Sequence, residues 1–372
     1  MVIGQKNAEG SIQRSCLPRL LCAREQYSAL LLFVAVAAVC LLVVVGSGTY
    51  ALSSPADVGG EMEQRFFNIF PRQAAANCNK QAGASDDELE AALRGAADAN
   101  RTLIVSVLNK AYAEEGGLLD LFIESLKQGE GTGHLIGHVL LVAMDEPAFR
   151  RCSGLGGVRC YLLPPAAATN STNLSSEQLY MSGGFIRMMW RRIRLLGDIL
   201  KHGYSFIFTD MDVMWLRNPF PSLNRTEEED LLISTDGFKG RPEDYLGHEL
   251  NTRFFFVAAS NRTAAMFDEW HAAREASEGM KEQDVLNQMK QQGAFRRLGV
   301  RVRVLDTARF SGFCQDSQDA RQVATVHANC CRTMRAKVAD LKAVLGAAKQ
   351  LNGTTGRLKW PRHSACLGSW RK

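Results

Sequence analysis

Phe206-Ile207-Phe208-Thr209-Asp210-Met211-Asp212 (FIFTDMD) is the stretch on which the reading of this chain turns. Ser205–Thr209 is a short apolar run that follows Gly203 and stops at an acid, the pattern of a buried strand. The strand delivers two carboxylates, Asp210 and Asp212, one residue apart. That sets them at the carboxyl edge of a sheet, where open α/β sheets bind their ligands. Carboxylate oxygens are hard donors suited to Mn²⁺ or Mg²⁺, and such ions keep positions open for phosphate oxygens. An Asp-x-Asp pair alone is a common pattern, so its surroundings decide its weight.

Immediately upstream, Phe185, Met189, Ile193, Leu196 and Leu200 recur at steps of three and four. This predicts an amphipathic helix within Glu177–His202, with Gly203 as its stop. Met188, Met189 and Trp190 read as core packing rather than a sugar platform. Arg191, Arg192 and Arg194 read as a solvated face, with an approach to a diphosphate as the alternative.

Further out, strands are expected at Leu103–Leu108, His138–Met144, Phe254–Ala258, Val300–Leu305 and Val323–Val326. Helices are expected at Leu118–Leu126, Thr263–Ala276, Glu282–Gln291 and Thr333–Ala348. Alternating strands and helices predict an α/β domain with a mostly parallel central sheet. Residues 53–98, rich in Ala, Gly, Asp and Glu, read as a stem with a short helix near Asp86–Leu93. No internal repeat is visible.

The 372 residues carry 46% hydrophobic and 22% charged side chains, which excludes disorder throughout. Seven basic residues and no acidic one follow Leu341. Removing those seven from the net charge of +5 leaves about −2, so the body lacks the basic surface of a nucleic-acid-binding protein. The basic tail reads as solvated, and we assign it no function.

Ala29–Val45 contains no charge, and low polarity continues to Leu52, close to the roughly 20 residues that span a bilayer. Lys6, Arg14, Arg19 and Arg24 precede it, so the positive-inside rule puts residues 1–28 in the cytosol. A cleaved signal peptide is the competing reading, but the apolar run is long for one. The expected organisation is a cytosolic tail (1–28), a signal anchor (29–52), a stem (53–98), a catalytic domain (99–348) and a basic tail (349–372).

All six Asn-x-Ser/Thr sequons, at Asn100, Asn170, Asn173, Asn224, Asn261 and Asn352, follow the apolar segment. So do seven of the ten cysteines, some of which should pair in an oxidising lumen. Cys152–Cys160 is a short loop, and Cys314 is in reach of Cys330 or Cys331. The absence of CxxC spacing argues against a structural zinc site.

The block Gly203–Phe220 (GYSFIFTDMDVMWLRNPF) resembles the signature of the plant nucleotide-diphospho-sugar transferases of glycosyltransferase family 77. That family includes rhamnogalacturonan xylosyltransferases and extensin arabinosyltransferases. The similarity extends to Thr102–Leu126, Leu140–Cys152, Asn251–His271, Glu282–Lys290, Leu305–Asp319, Val326–Cys331 and Lys337–Lys342. The resemblance implies a GT-A fold, a UDP-sugar donor, a divalent metal (Mn²⁺ first, Mg²⁺ second) and retention of anomeric configuration. It implies a glycan or glycoprotein acceptor of the plant cell wall and a type II Golgi membrane protein with its catalytic domain in the lumen.

The resemblance also implies roles for residues. Asp210 and Asp212 match the family's metal pair, and His327 matches a histidine that completes the metal or diphosphate site, with a structural histidine bonded to backbone as the alternative. Asn109 is placed near the nucleotide, with a loop cap as the alternative. Asn251 faces the donor or acceptor sugar, or else only bonds at a strand edge. Gln283 and Asp284 fall where polar groups contact the transferred sugar, the alternative for Asp284 being an exposed helix face.

Two positions depart from the family pattern. Glu282 stands where Asp is usual, and Arg253 where Gly is usual. Arg253 could alter the acceptor pocket, pair with a phosphate or point to solvent. These departures favour, as the second hypothesis, a UDP-sugar-binding or scaffold protein that has lost turnover. A metal-dependent phosphohydrolase of the haloacid-dehalogenase type would require Thr soon after Asp212, where the chain has Val213-Met214-Trp215.

Overall fold

Side chains alternate across the strands and build two apolar layers on one twisted sheet. A computed structural model of the chain describes residues 86–165, 182–351 and 360–371. The expected cytosolic tail, the anchor over 29–52 and most of the stem lie outside the described residues. No helix among the described residues is long and apolar enough to cross a membrane.

In chain order the strands are β1 (Thr102–Leu108), β2 (Val139–Ala143), β3 (Arg159–Leu162), β4 (Ser205–Thr209) and β5 (Val213–Trp215). They continue with β6 (Leu231–Thr235), β7 (Leu250–Val257), β8 (Val302–Val304), β9 (Phe310–Gly312) and β10 (Thr325–His327). Seven form the main sheet in the order β3-β2-β1-β4-β7-β6-β8. Only β7 runs against its neighbours, so four of the six pairings are parallel, as the α/β reading expects. The remaining three strands form a small sheet, β5-β10-β9.

The helices are α1 (86–96), α2 (Leu118–Gln128), α3 (Glu146–Ser153), α4 (Gly183–Lys201) and α5 (Phe220–Leu223). They continue with α6 (Asn261–Ala272), α7 (Glu282–Gln291), α8 (Ala294–Leu298), α9 (Met334–Leu351) and α10 (Ser364–Gly368). On one face of the sheet, Ile104, Leu141, Ile207 and Phe254 pack with buried residues of α2, α3 and α9. On the other, Val105, Val142, Phe206, Phe208 and Phe255 pack with α1, α4, α6 and α7. Each buried Phe contributes about 1.5–3 kcal/mol of transfer free energy.

Both faces of β4 are therefore covered, which is why it reads as FIFT rather than as an alternating strand. Helix α4 starts at Ser182, whose side chain caps Phe185 N–H at 3.1 Å. It ends at Gly203, where φ is +78°, a conformation that glycine adopts without strain. The stop foreseen there is the one observed.

Helix α1 corrects the domain boundary. Leu89, Leu93 and Ala96 are buried in the core, and Glu90 accepts from the Tyr204 hydroxyl at 2.8 Å. Residues 86–98, read as stem, are part of the domain. Residues 360–371, read as solvated tail, are likewise packed on it. Disulfides join Cys152 to Cys160, Cys314 to Cys330 and Cys331 to Cys366. The first was expected, the second was one of two open options, and the third was not foreseen.

Candidate active site

The turn after β4 is short, and it dictates the site. Val213 N–H donates to Asp210 O at 3.1 Å, which reverses the chain into β5. Strand β10 pairs antiparallel with β5 and sets His327 opposite Val213. His327 therefore stands beside Asp212, with Nε2 3.6 Å from Oδ1. The first turns of α9 carry Lys337 to the same carboxylate, with Nζ 2.6 Å from Oδ2.

Asp210 is gripped from two sides. Arg192 Nη1 from α4 lies 2.9 Å from Oδ1, and Arg253 Nη1 from β7 lies 2.8 Å from Oδ2. Arg192 also reaches Glu282 Oε1 at 2.5 Å, and the Thr252 hydroxyl donates to the same oxygen at 3.0 Å. Three acids and three cations thus offset one another in a largely buried cluster, the pairing that burial of such charge requires.

The electrostatics follow from that balance. Burial opposes the charge on Asp212, yet Lys337 and His327 hold its carboxyl well below the usual carboxylate range. Burial opposes the Lys337 charge too, and Asp212 more than reverses it, so the ammonium is held above its ordinary pKa. For Arg253, burial is likewise overcome by Asp210 and Glu282. Burial, reinforced by Asp212 and Asp210, pushes the Tyr112 hydroxyl up.

Asp210, Asp212, Lys337, Arg253 and Tyr112 line one open cavity of about 260 Å³, with Arg192 and Glu282 behind its wall. Of the residues singled out in the sequence, Asp210, Asp212, Asn251, Gln283, His327 and Arg253 line it together. Asn251 Nδ2 donates to Asp236 Oδ1 at 2.6 Å, and its Oδ1 accepts from Arg253 N–H at 2.9 Å. Gln283 Oε1 accepts from Thr252 N–H at 3.2 Å.

Two candidates stand apart from the lining. Asn109 is fully buried and accepts from Tyr112 N–H at 3.3 Å, the loop-capping geometry. Asp284 points along the partly exposed face of α7, with Oδ1 3.4 Å from Lys281 Nζ. The carboxylate drawn inward on that helix is its neighbour Glu282, which is fully buried.

Arg192 corrects the reading of a solvated face. Its side chain is 1% exposed, because Arg192 follows Met188 by four residues and precedes Leu195 and Ile199 on the buried stripe of α4. Arg194, two residues on, is exposed and pairs with Asp198 at 3.2 Å. Sequence reasoning did not single out Lys337, Asp236, Tyr112, Asn329 or Trp370, all of which line the cavity. Asp236 carried a usable signal, since it follows β6 as Asp210 follows β4.

Asp210, Asp212 and His327 supply the oxygen and nitrogen donors that suit Mn²⁺, and they share one cavity. The donor set fits in kind. Among the described residues no three His, Cys, Asp or Glu side chains converge as a metal-binding group. Arg192, Arg253 and Lys337 hold the two carboxylates, so an ion must compete with them.

The family model of nucleotide-diphospho-sugar transferases matches residues 134–341. An Arabidopsis thaliana protein, "Uncharacterized protein At1g28695", is 43% identical over 307 residues, 81% of this chain and 90% of its own. "Beta-arabinofuranosyltransferase RAY1" of the same plant is 28% identical over 198 residues, 53% of this chain and 34% of its own. The solved galactosyltransferase LgtC, with donor and acceptor sugar analogs, aligns at a TM-score of 0.36 and 14% identity. That alignment covers 60% of this chain and 86% of LgtC, a likeness too slight to carry residue roles across. The extent of the family match, over a domain whose strand ends gather acids, amides and cations in one cavity, leads to a single assignment: the chain belongs to the nucleotide-diphospho-sugar transferase family and is a glycosyltransferase.

Proposed function

We propose that this glycosyltransferase moves a pentose, xylose or arabinose, from a UDP-sugar to a cell-wall glycan or glycoprotein. The reading includes retention of anomeric configuration, dependence on Mn²⁺ or Mg²⁺, and a Golgi-lumenal domain on a type II anchor. The observation that carries it is the single cavity uniting Asp210, Asp212, Asn251, Gln283 and His327 with the cations Lys337 and Arg253. Relatives named for arabinofuranosyl, arabinosyl and D-xylosyl transfer support a pentose. Three disulfides and the exposure of the described sequons Asn100, Asn224 and Asn261 support the lumenal side.

The chain's own residues supply most of the chemistry required. Lys337 and Arg253 are held charged in a largely buried site, which complements a diphosphate and steadies it as charge develops. The Gln283 amide is oriented by Thr252 N–H, an arrangement that reserves its NH₂ for a sugar hydroxyl. Asn251 is fixed between Asp236 and Arg253 and presents a rigid polar edge. A divalent ion on Asp210, Asp212 and His327 would neutralise the leaving diphosphate.

In retaining transfer the bond from sugar C1 to the phosphate oxygen breaks, and the acceptor oxygen bonds C1 on the same face. The acceptor proton passes to the departing phosphate oxygen, so no protein base is required. The test incubates the full chain and Mn²⁺ with a mixture of cell-wall oligosaccharide acceptors and UDP-xylose, UDP-arabinose, UDP-galactose or UDP-glucose in turn, and reads the product by NMR. Transfer from one pentose donor with its anomeric configuration kept is expected. Inversion, exclusive use of a hexose donor, or release of free sugar without transfer would overturn the reading.

A further inference from the structure

Residues 360–371 are fastened to the domain by contacts of several independent kinds. Cys366 is disulfide-bonded to Cys331. Asp340 of α9 accepts from the N–H groups of Cys366 at 2.8 Å and Ala365 at 3.3 Å, which satisfies the start of α10. His363 Nε2 lies 2.9 Å from Asp316 Oδ2, and its ring stacks on Phe313 at 3.6 Å between centroids. Arg332 N–H donates to Ser369 Oγ at 3.0 Å. Finally, Trp370 Nε1 donates to Cys330 O at 2.8 Å.

That last bond settles how the indole is presented. Its one polar group is satisfied, and its ring is pinned at the cavity that holds Asp210 and Asp212. Yet the residue is 54% exposed, one of three large apolar side chains so exposed among the described residues. The hydrophobic effect favours covering such a ring, and this segment instead spends a disulfide and five polar contacts on fixing it in the open. A rigid, apolar aromatic face with no unmet hydrogen bond suits a ligand face that is itself apolar. Sugar rings present such a face in their axial C–H groups, which meet the negative face of an aromatic ring.

Position identifies which sugar. Asp212 and its partner Lys337 lie deep, with the Asp212 side chain 6% exposed, where a diphosphate would be desolvated. Trp370 belongs to the solvent side of the same cavity, where a large glycan must approach to bring a hydroxyl inward. We propose that Trp370 is the stacking platform for a sugar ring of the acceptor glycan, with the Cys331–Cys366 disulfide holding it in register. The inference rests on the transferase reading above and adds to it a place for the acceptor.

The test uses the full chain as wild type, Trp370→Ala and Trp370→Phe. UDP affinity is measured by calorimetry in Mn²⁺. With UDP present, saturation-transfer NMR then follows methyl arabinoside, methyl xyloside, methyl galactoside, methyl fucoside, arabinobiose and xylobiose. The expected result is saturable binding of at least one sugar by the wild type and a loss of tenfold or more in Trp370→Ala. UDP affinity should stay within twofold, and Trp370→Phe should recover most of the sugar affinity. Equal sugar affinity in wild type and Trp370→Ala would overturn the platform. So would a wild type that binds UDP and none of the sugars. A loss of UDP affinity in Trp370→Ala would overturn it in favour of stacking on the donor's base. A wild type that binds no UDP would instead remove the donor reading, and this inference with it.

Discussion

Arg253 and Asp210 are joined twice: Arg253 Nη1 lies 2.8 Å from Asp210 Oδ2, and Asp210 N–H donates to Arg253 O at 2.8 Å. The second bond extends the β4–β7 ladder by one residue, so the sheet fixes the two backbones side by side and puts the carboxylate within reach of the guanidinium. A resident cation thus shares the oxygen that a divalent ion would need.

Arg253→Ala should therefore strengthen metal binding. Asp210 keeps Arg192, so the loss of stability should fall below the about 3–5 kcal/mol of an abandoned buried charge. Mn²⁺ should restore part of it, since a ligand of the native state stabilises by mass action. The check is the shift of Tm on adding Mn²⁺, expected to be larger in the variant than in the wild type. Equal shifts would show that Arg253 does not compete.

The unforeseen disulfide should matter more than its position suggests. Cys331 and Cys366 are separated by 35 residues, and closing a loop of that order contributes about 3–4 kcal/mol in the chain-entropy model. Cys366→Ser should lower Tm and open residues 360–371 to amide exchange ahead of the sheet. Unchanged protection in that segment would mean that the Asp340 and His363 contacts suffice.

His271 should write itself into the pH dependence of stability. Arg274 Nη1 lies 2.8 Å from His271 Nδ1, so the ring nitrogen serves as an acceptor. Burial, then the Arg274 and Arg194 charges, bring its pKa from 6.5 down to about 4. Between those two values the unfolded chain binds a proton that the folded chain refuses. Stability is thus lost as pH falls from 6.5 towards 4 and levels off below. Tm measured against pH should be flatter over that window in His271→Gln. Parallel curves would remove His271 from the account.

Much of the architecture was legible because burial writes itself plainly into long elements. Helix α7 was bounded correctly at Glu282–Gln291, and β4 at Ser205–Thr209. What escaped was short or charged. β5 and β9 have three residues each, too few for any period to show, and β6 begins directly after an acidic run, Glu227–Asp230. Missing β6 hid Asp236, the carboxylate at its end.

The charged residues of the site were harder still. Arg192 looked solvated because Arg191 and Arg194 flank it, although its spacing from Met188 and Ile199 put it on the apolar stripe. Its burial depends on acids 18 and 90 residues away, Asp210 and Glu282. No local pattern announces a partner that distant. Lys337 was hidden in the same way, being paired with Asp212 across 125 residues.

The account stands most directly on Asp212. Asp212→Asn keeps the shape but removes the charge that holds Lys337 and faces His327. The decisive measurement is transfer from the preferred UDP-sugar by wild type, Asp212→Asn and Asp284→Asn in Mn²⁺. The account predicts a loss of about 10²-fold or more for Asp212→Asn, the scale of one lost electrostatic stabiliser. It predicts near-normal transfer for Asp284→Asn, whose side chain lies away from the cavity. Equal transfer by wild type and Asp212→Asn would contradict the account.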